Sequence, residues 1–238
     1  MDAKTGAISS ALNSLTREYE TITNNLANVN TVGFKRQSNS FSKSLSALQD
    51  DGNDAGKVNT AFDFSQGSLT YTGSRFDMGL SDKGFFVVET PDGPLYTRNG
   101  MFHVNNKGYL VDMDERTIAG KDGPLIFPQD MSIADMSVSE DGVIQVKNNT
   151  VGQLKLVSFG ENEAKLTPIG KNCFAAPQGI TPEAAKVSVK QGYQEASNVV
   201  AVEELVDLIT VTRLYQSNMK LLTSDGDNSK SLLGVAMG

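Results

Sequence analysis

Gly192-Tyr-Gln-Glu-Ala-Ser-Asn-Val199, running into Val202–Leu222, is the stretch on which the fold turns. It reads as one long helix. Leu205, Leu208, Thr212, Tyr215, Met219 and Leu222 succeed one another at 3, 4, 3, 4 and 3 residues, a coiled-coil seam with one polar position. Val202, Val206 and Ile209 add apolar surface beside that seam. A helix that is apolar over several faces needs more than one neighbour. The stretch therefore predicts an assembly element.

The other end of the chain carries a matching pattern. Ile8, Leu12, Leu15, Tyr19, Ile22 and Leu26 are spaced 4, 3, 4, 3 and 4, with Arg17, Glu18 and Glu20 off the seam. A helix over residues 5–28 would be roughly 36 Å long. An amphipathic helix lying on a globular core explains one such seam. Two seams of similar length at opposite ends of one chain are explained more economically by pairing with each other. Asn24, Asn25, Asn28 and Asn30 then fall within seven residues. Short amides compete for backbone groups and make poor helix. They read either as a helix end stopped at Gly33 or as amides bridging to neighbouring backbones in an assembly.

Residues 34–48 repeat the spacing with Phe34, Ser38, Phe41, Leu45 and Leu48, which predicts a second, shorter helix with Lys35, Arg36 and Lys43 on its solvated side. Gln49–Thr60, rich in Asp, Gly and Asn, reads as a linker. From 61 to 191 the texture is β. Ser68–Thr72, Phe85–Glu89, Leu95–Arg98, Phe102–Val104, Tyr109–Val111, Leu125–Phe127, Ser137–Val138, Val143–Val146, Leu154–Phe159 and Ala185–Val189 are candidate strands. Asp92-Gly93, Asn99-Gly100 and Asp141-Gly142 supply the positive φ that tight hairpins need. The predicted class is α+β. Terminal segments 1–35 and 192–238 form a helical assembly domain, and a short helix and linker cover 36–60. An antiparallel β domain of sandwich or barrel type spans 61–191.

Composition excludes several functions. The chain has 238 residues, 39% hydrophobic content and a net charge of −7 with both signs interspersed. That is no footprint for nucleic acid. No run approaches the roughly 18 apolar residues of a lipid-spanning segment, and the N-terminus lacks a cleavable secretory pattern. One His and one Cys, His103 and Cys173, cannot make a zinc site. His103 alternates with Phe102 and Val104 and reads as the polar face of a strand, and Cys173 as a small buried hydrophobe. Walker and dinucleotide loops are absent. Asp50, Asp51 and Asp54 lack the EF-hand pattern and read as linker. Asp112, Asp114 and Glu115 read as a solvated hairpin end. No catalytic residue, cofactor or metal ligand is predicted.

Asn24-Asn-Leu-Ala-Asn-Val-Asn-Thr-Val-Gly-Phe-Lys35 resembles the N-terminal motif of the bacterial flagellar rod and hook proteins. Val189-Lys-Gln-Gly-Tyr-Gln-Glu-Ala-Ser-Asn-Val199, then Val202–Ile209 and Arg213–Lys220, resembles their C-terminal motif. Gly67–Leu80, Gly84–Val88, Tyr96–Gly100, Gly108–Val111, Asp141–Ile144 and Val151–Val157 are similar to their central domain. Within the family the resemblance is to the proximal rod type, with the distal rod type as the alternative.

The resemblance implies a structural subunit of a helical tube that transmits torque and forms part of the export channel. Its implied partners are copies of itself, other rod proteins above and below, and the flagellar type III export apparatus. Export without a cleavable signal and a place in the periplasmic rod follow from the same resemblance. Ile8, Leu12, Leu15, Tyr19, Ile22 and Leu26 are then expected to hold Leu205, Leu208, Tyr215, Met219 and Leu222 within the chain. Asn24, Asn25, Asn28, Asn198, Val202, Val206 and Ile209 are expected to meet neighbouring subunits. The rival readings are a secreted β-domain binding module and a carboxylate-based glycan hydrolase, which needs two acids about 5–10 Å apart.

Overall fold

A computed structural model describes residues 2–39, 60–128, 135–147 and 149–236, with the backbone alone for 2–5, 60 and 224–236. The chain divides into two compact units, residues 1–27, 37–62 and 200–238 in one and 28–36 and 63–199 in the other.

The first unit is built on helices α1, Asp2–Ala27, and α2, Ala201–Ala236. They meet through Leu15 and Ile22 on α1 and Val211 on α2, with Leu208 packed alongside. Burying each of these aliphatic side chains is worth roughly 2 kcal/mol. Gln37–Asn39 and Thr60–Phe62 form a short antiparallel pair in the same unit. This corrects the expected helix over its described part, 34–39. The Asn25 side chain accepts the Gln37 N–H at 2.9 Å and donates to the Gln37 carbonyl at 2.8 Å, which fixes that residue in extended geometry. Phe41, Leu45, Leu48 and the Asp-rich linker lie outside the described residues.

Among the described residues every strand pair of the second unit is antiparallel. Among the described residues its largest sheet has nine strands. Its spine is the hairpin Phe85–Thr90 with Gly93–Thr97, turned at Gly93 with φ 123°. Phe86 and Val88 face a core containing Leu80, Leu110, Ile118, Leu125, Ile144 and Leu154. Phe85, on the other face, meets Phe64, Phe174 and Phe159 edge-on, with centroids 5.6–6.5 Å apart. Both faces are thus covered, which is why this strand reads as an unbroken apolar run. A three-stranded sheet, Met136–Val138, Val143–Val146 and Asn149–Gln153, contributes Met136, Ile144 and Val146 to the same core.

The opening stretch is not all helix. Tyr193–Glu195 is a strand paired with Leu69–Tyr71, and α2 begins only at Ala201. Gly192, at φ 79°, sets the turn before the strand. Short strands escaped the sequence reading at Met78–Ser81, Thr117–Ile118, Thr167–Gly170 and Cys173–Ala175. Each has four residues or fewer, too short for an alternating pattern to register.

Candidate functional site

The residues of the N- and C-terminal motifs converge on one buried carboxylate. Glu195 Oε1 accepts from Lys35 Nζ at 2.7 Å and from the Gly67 N–H at 3.0 Å. Its Oε2 accepts from Arg98 Nε at 2.8 Å, and its backbone carbonyl from the Gly33 N–H at 2.8 Å. All three charged side chains are at most 3% exposed. Two cations share this one anion in direct contact, with Asp63 acting on Lys35 and Glu163 on both from farther away. Carbonyls take the remaining donors: Lys35 Nζ also donates to Ser65 O at 2.6 Å. Arg98 Nη1 donates to Asp82 O at 2.8 Å and to Gly84 O at 2.7 Å. Burial pushes the Lys35 ammonium below its ordinary range, and Glu195 opposes that shift.

The backbone permits this convergence because glycines stand where chains touch. A Cβ on Gly67 would lie 1.9 Å from Ala196 O, and Gly33, at φ +69°, would bring one within 2.5 Å of Asn99 N. Asn198 adds an amide bridge. Its Oδ1 accepts the Arg36 N–H at 2.7 Å, and its Nδ2 donates to Asp63 O at 2.8 Å. Lys35 is therefore buried, against the solvated position expected for it.

A second polar node lies in the helical unit. Asn25, 1% exposed, donates from Nδ2 to Glu204 Oε2 at 3.1 Å as well as to Gln37. Glu204 is fully buried in the first turn of α2, where an acid suits the helix dipole. Asn28 ends the α1 exit turn, with its carbonyl and Oδ1 accepting from Thr31 at 3.1 Å each. Asn24 is exposed. Asn25 and Asn198 thus bind backbone of their own chain.

Along α2 the contact line runs through Glu204, Leu208 and Val211, with Thr212 and Leu222 half-buried. Leu205, Tyr215 and Met219 are exposed, as are Val202 at 70%, Val206 at 57% and Ile209 at 53%. On α1, Leu15 and Ile22 are buried, Ile8, Leu12 and Leu26 half-buried, and Tyr19 exposed. A 3–4 spacing fits two registers here, 204-208-211-215-218 and 205-208-212-215-219, with two aliphatic residues each, and Met219 in place of Asn218 tips an apolar reading to the second. Glu204 and Val211 were missed for that reason.

The remaining candidates fall elsewhere. His103 Nε2 lies 3.0 Å from Glu115 Oε1 on a strand face. Cys173 is buried, and its thiol is pushed up by burial, against Arg116. The acidic hairpin end is ion-paired as well as solvated. Arg116 bridges Asp112 at 2.7 Å and Asp114 at 3.0 Å, and Lys171 contacts Asp114. Among the described residues no three His, Cys, Asp or Glu side chains converge to hold a metal, and no helix is long and apolar enough to cross a membrane. A cleft of about 650 Å³ is lined in part by Asp82 and Asp141. Turn geometry accounts for both, since Asp82 has φ 74° and Asp141 precedes Gly142 at φ 76°.

These features define a class: a β unit whose chain entry and exit are bound at one carboxylate, joined to a helical unit with an uncovered apolar face. Residues 8–35 match the family model "Flagella basal body rod protein". Residues 80–146 match the "Flagellar hook protein FlgE/F/G D1 domain". Residues 190–235 match "Flagellar basal body rod FlgEFG protein C-terminal". The chain is 35% identical to the flagellar basal-body rod protein FlgG of Caulobacter vibrioides, over 86% of this chain and 88% of that one. It is 34% identical to the FlgG of Buchnera aphidicola subsp. Baizongia pistaciae, over 93% of each. With the basal-body rod protein FlgF of Caulobacter vibrioides it shares 31% identity over 91% of each. The chain belongs to the flagellar basal-body rod protein family, whose members are structural proteins and not enzymes. Lys35, Arg98 and Glu195 each fall in a different one of the three matched segments.

Proposed function

We propose that this chain is a structural subunit of the flagellar rod, of the proximal type, polymerising head-to-tail into an open helical tube. The observation that carries the assembly reading is the uncovered face of α2. Val202, Leu205, Val206 and Ile209 are all at least 45% exposed beside a face already used for α1. Exposed apolar surface of that extent marks an interaction site, and contacts that do not close on themselves produce a filament. Many such contacts in parallel make a shaft stiff enough to carry torque around a central channel.

The terminal helices would extend their present contact into a coiled coil along Ile8–Leu26 and Leu205–Leu222 once neighbours cover the outer stripe. Asn24 and Asn28 would meet adjacent subunits at the helix ends. Export through the flagellar type III apparatus to a periplasmic rod suits helices that gain most of their stability from packing. The other rod proteins are the axial neighbours.

Imaging basal bodies from cells lacking this chain tests the reading. A rod that stops near the inner membrane is expected. A rod truncated only at its distal part would assign the distal position instead, and a complete rod would overturn the structural reading.

A further inference from the structure

Three chain segments pass the Glu195 carboxylate. Residues 33–36 are the way in from α1, residues 63–67 the return from the Thr60–Phe62 strand, and residues 195–198 the way out toward α2. The sheet contributes a single side chain, Arg98, which is anchored to Asp82 O and Gly84 O at the start of the Phe85–Thr90 strand. The way in and the return are joined directly, by the Asp63 N–H donating to Arg36 O at 2.9 Å and Lys35 Nζ to Ser65 O, and the way out is tied to both through Glu195 and Asn198. Gly67 N and Lys35 Nζ reach Oε1, Gly33 N reaches the Glu195 carbonyl, and Arg36 N reaches Asn198. The apolar cores of the sheet contain none of these residues.

We propose that Glu195 is a clasp, a positioning residue that closes the chain's entry and exit onto an already folded β sheet and thereby fixes where both terminal helices start. The sheet is the lasting scaffold, and the clasp is a joint that opens on its own. The arrangement follows from the charges. Lys35 and Arg98 repel each other across the site until the carboxylate lies between them, so the way in and the way out close together. Removing the anion leaves two buried cations facing each other, and the opening this causes is relieved by releasing Lys35 to solvent while Arg98 stays on its carbonyls. The part of the clasp that bears on assembly rests on the rod-subunit reading above. The opening itself does not.

The test is amide exchange on the full-length monomer, read residue by residue, for the native chain, Glu195→Gln and Lys35→Met. In Glu195→Gln the amides of Gly33, Gly67 and Ala196 should exchange at least tenfold faster, while those of Phe86 and Val88 keep native rates. Lys35→Met leaves Arg98 and Glu195 as a neutral pair and should change Gly67 and Gly33 by less than threefold. Equal acceleration at Val88 and Gly67, or none at Gly67, would overturn the clasp. If Glu195→Gln does not fold, Lys35→Met decides, because acceleration spread over the whole sheet in that variant would also overturn it.

Polymerisation in vitro then separates the two proposals. Native chain that assembles while Glu195→Gln does not supports the clasp's role in placing the helices. Equal assembly by both overturns that role. Failure of the native chain alone to assemble counts against the rod reading and leaves the exchange result standing.

Discussion

Glu163 lies in the two-turn 3-10 segment Gly160–Lys165, 7% exposed, and its Oε1 has no hydrogen-bond partner. Burial raises its carboxyl above the ordinary value near 4.5, while Lys83, Arg98 and Lys35 pull it back down. A raised folded value means that the native state prefers the protonated acid. The stability this contributes is full below the ordinary value and is lost as pH rises through the raised one. Glu163→Gln should therefore stabilise the β unit by about 1 kcal/mol at pH 7.5, roughly 2–4 °C in melting temperature. At pH 3.5 the two proteins should melt together. A variant less stable at pH 7.5 would show that the charged form is the one the fold uses. Gly67 gives the opposite kind of prediction. Its missing Cβ would meet a backbone oxygen, which has no side-chain freedom to yield, so Gly67→Ala should cost about 1–3 kcal/mol or more in a denaturant melt. Such residues were only partly legible beforehand. Lys35 reads as solvated from its helical spacing, because periodicity assigns a face and not a partner 160 residues away. The signal that was available is the sparse charge inside three recognisable motifs: Lys35 and Arg98 stand alone in theirs, and Glu195 is the one acid in Val189–Val199. Elsewhere those motifs are mostly apolar, Gly, Asn and hydroxyl residues.

At the scale of elements, the two terminal helices and most of the longer strands followed from periodicity, since a dozen or more residues average over local ambiguity. The register of α2 did not. Glu204 occupies a buried position that an aliphatic pattern passes over, held there by Asn25 and the helix N-terminus. The two faces of α2 should accordingly answer differently to mutation. Val206→Asp and Ile209→Asp put charge on exposed positions and should change monomer stability by no more than about 0.5 kcal/mol. In cells the same variants should lose rod assembly, read as non-spreading colonies in soft agar. Ile22→Ala works from the other side. It empties the contact with α2 and should weaken the helical unit by about 2–4 kcal/mol. Free swimming by Val206→Asp would remove that stripe from the assembly surface.

For the molecule as a whole, the division into two units sharpens what a dilute monomer should do. Among the described residues the apolar centre of the helical unit is Leu15, Ile22, Val211 and Leu208, and its long helices expose much of their apolar surface. The β unit has a core drawn from three sheets and a second aromatic cluster. Regions with few buried contacts open at far lower free energy than a packed sheet. Amide exchange at micromolar concentration should therefore be fast over 2–27 and 201–236, and slow over Phe85–Thr90 and Leu110–Asp112. The informative residues lie at the boundaries. If the ends were simply disordered tails, fast exchange would run on through Gly33 and Glu195. With both bound at the buried carboxylate, protection should rise abruptly at Gly33 and persist to Ala196, whose N–H donates to Ser68 O at 2.8 Å. On polymerisation, protection should spread outward from those two points into α1 and α2. Helices as protected in the monomer as the sheet would instead mean that the first unit is complete without neighbours, and that the exposed stripe of α2 adds contacts to a finished fold.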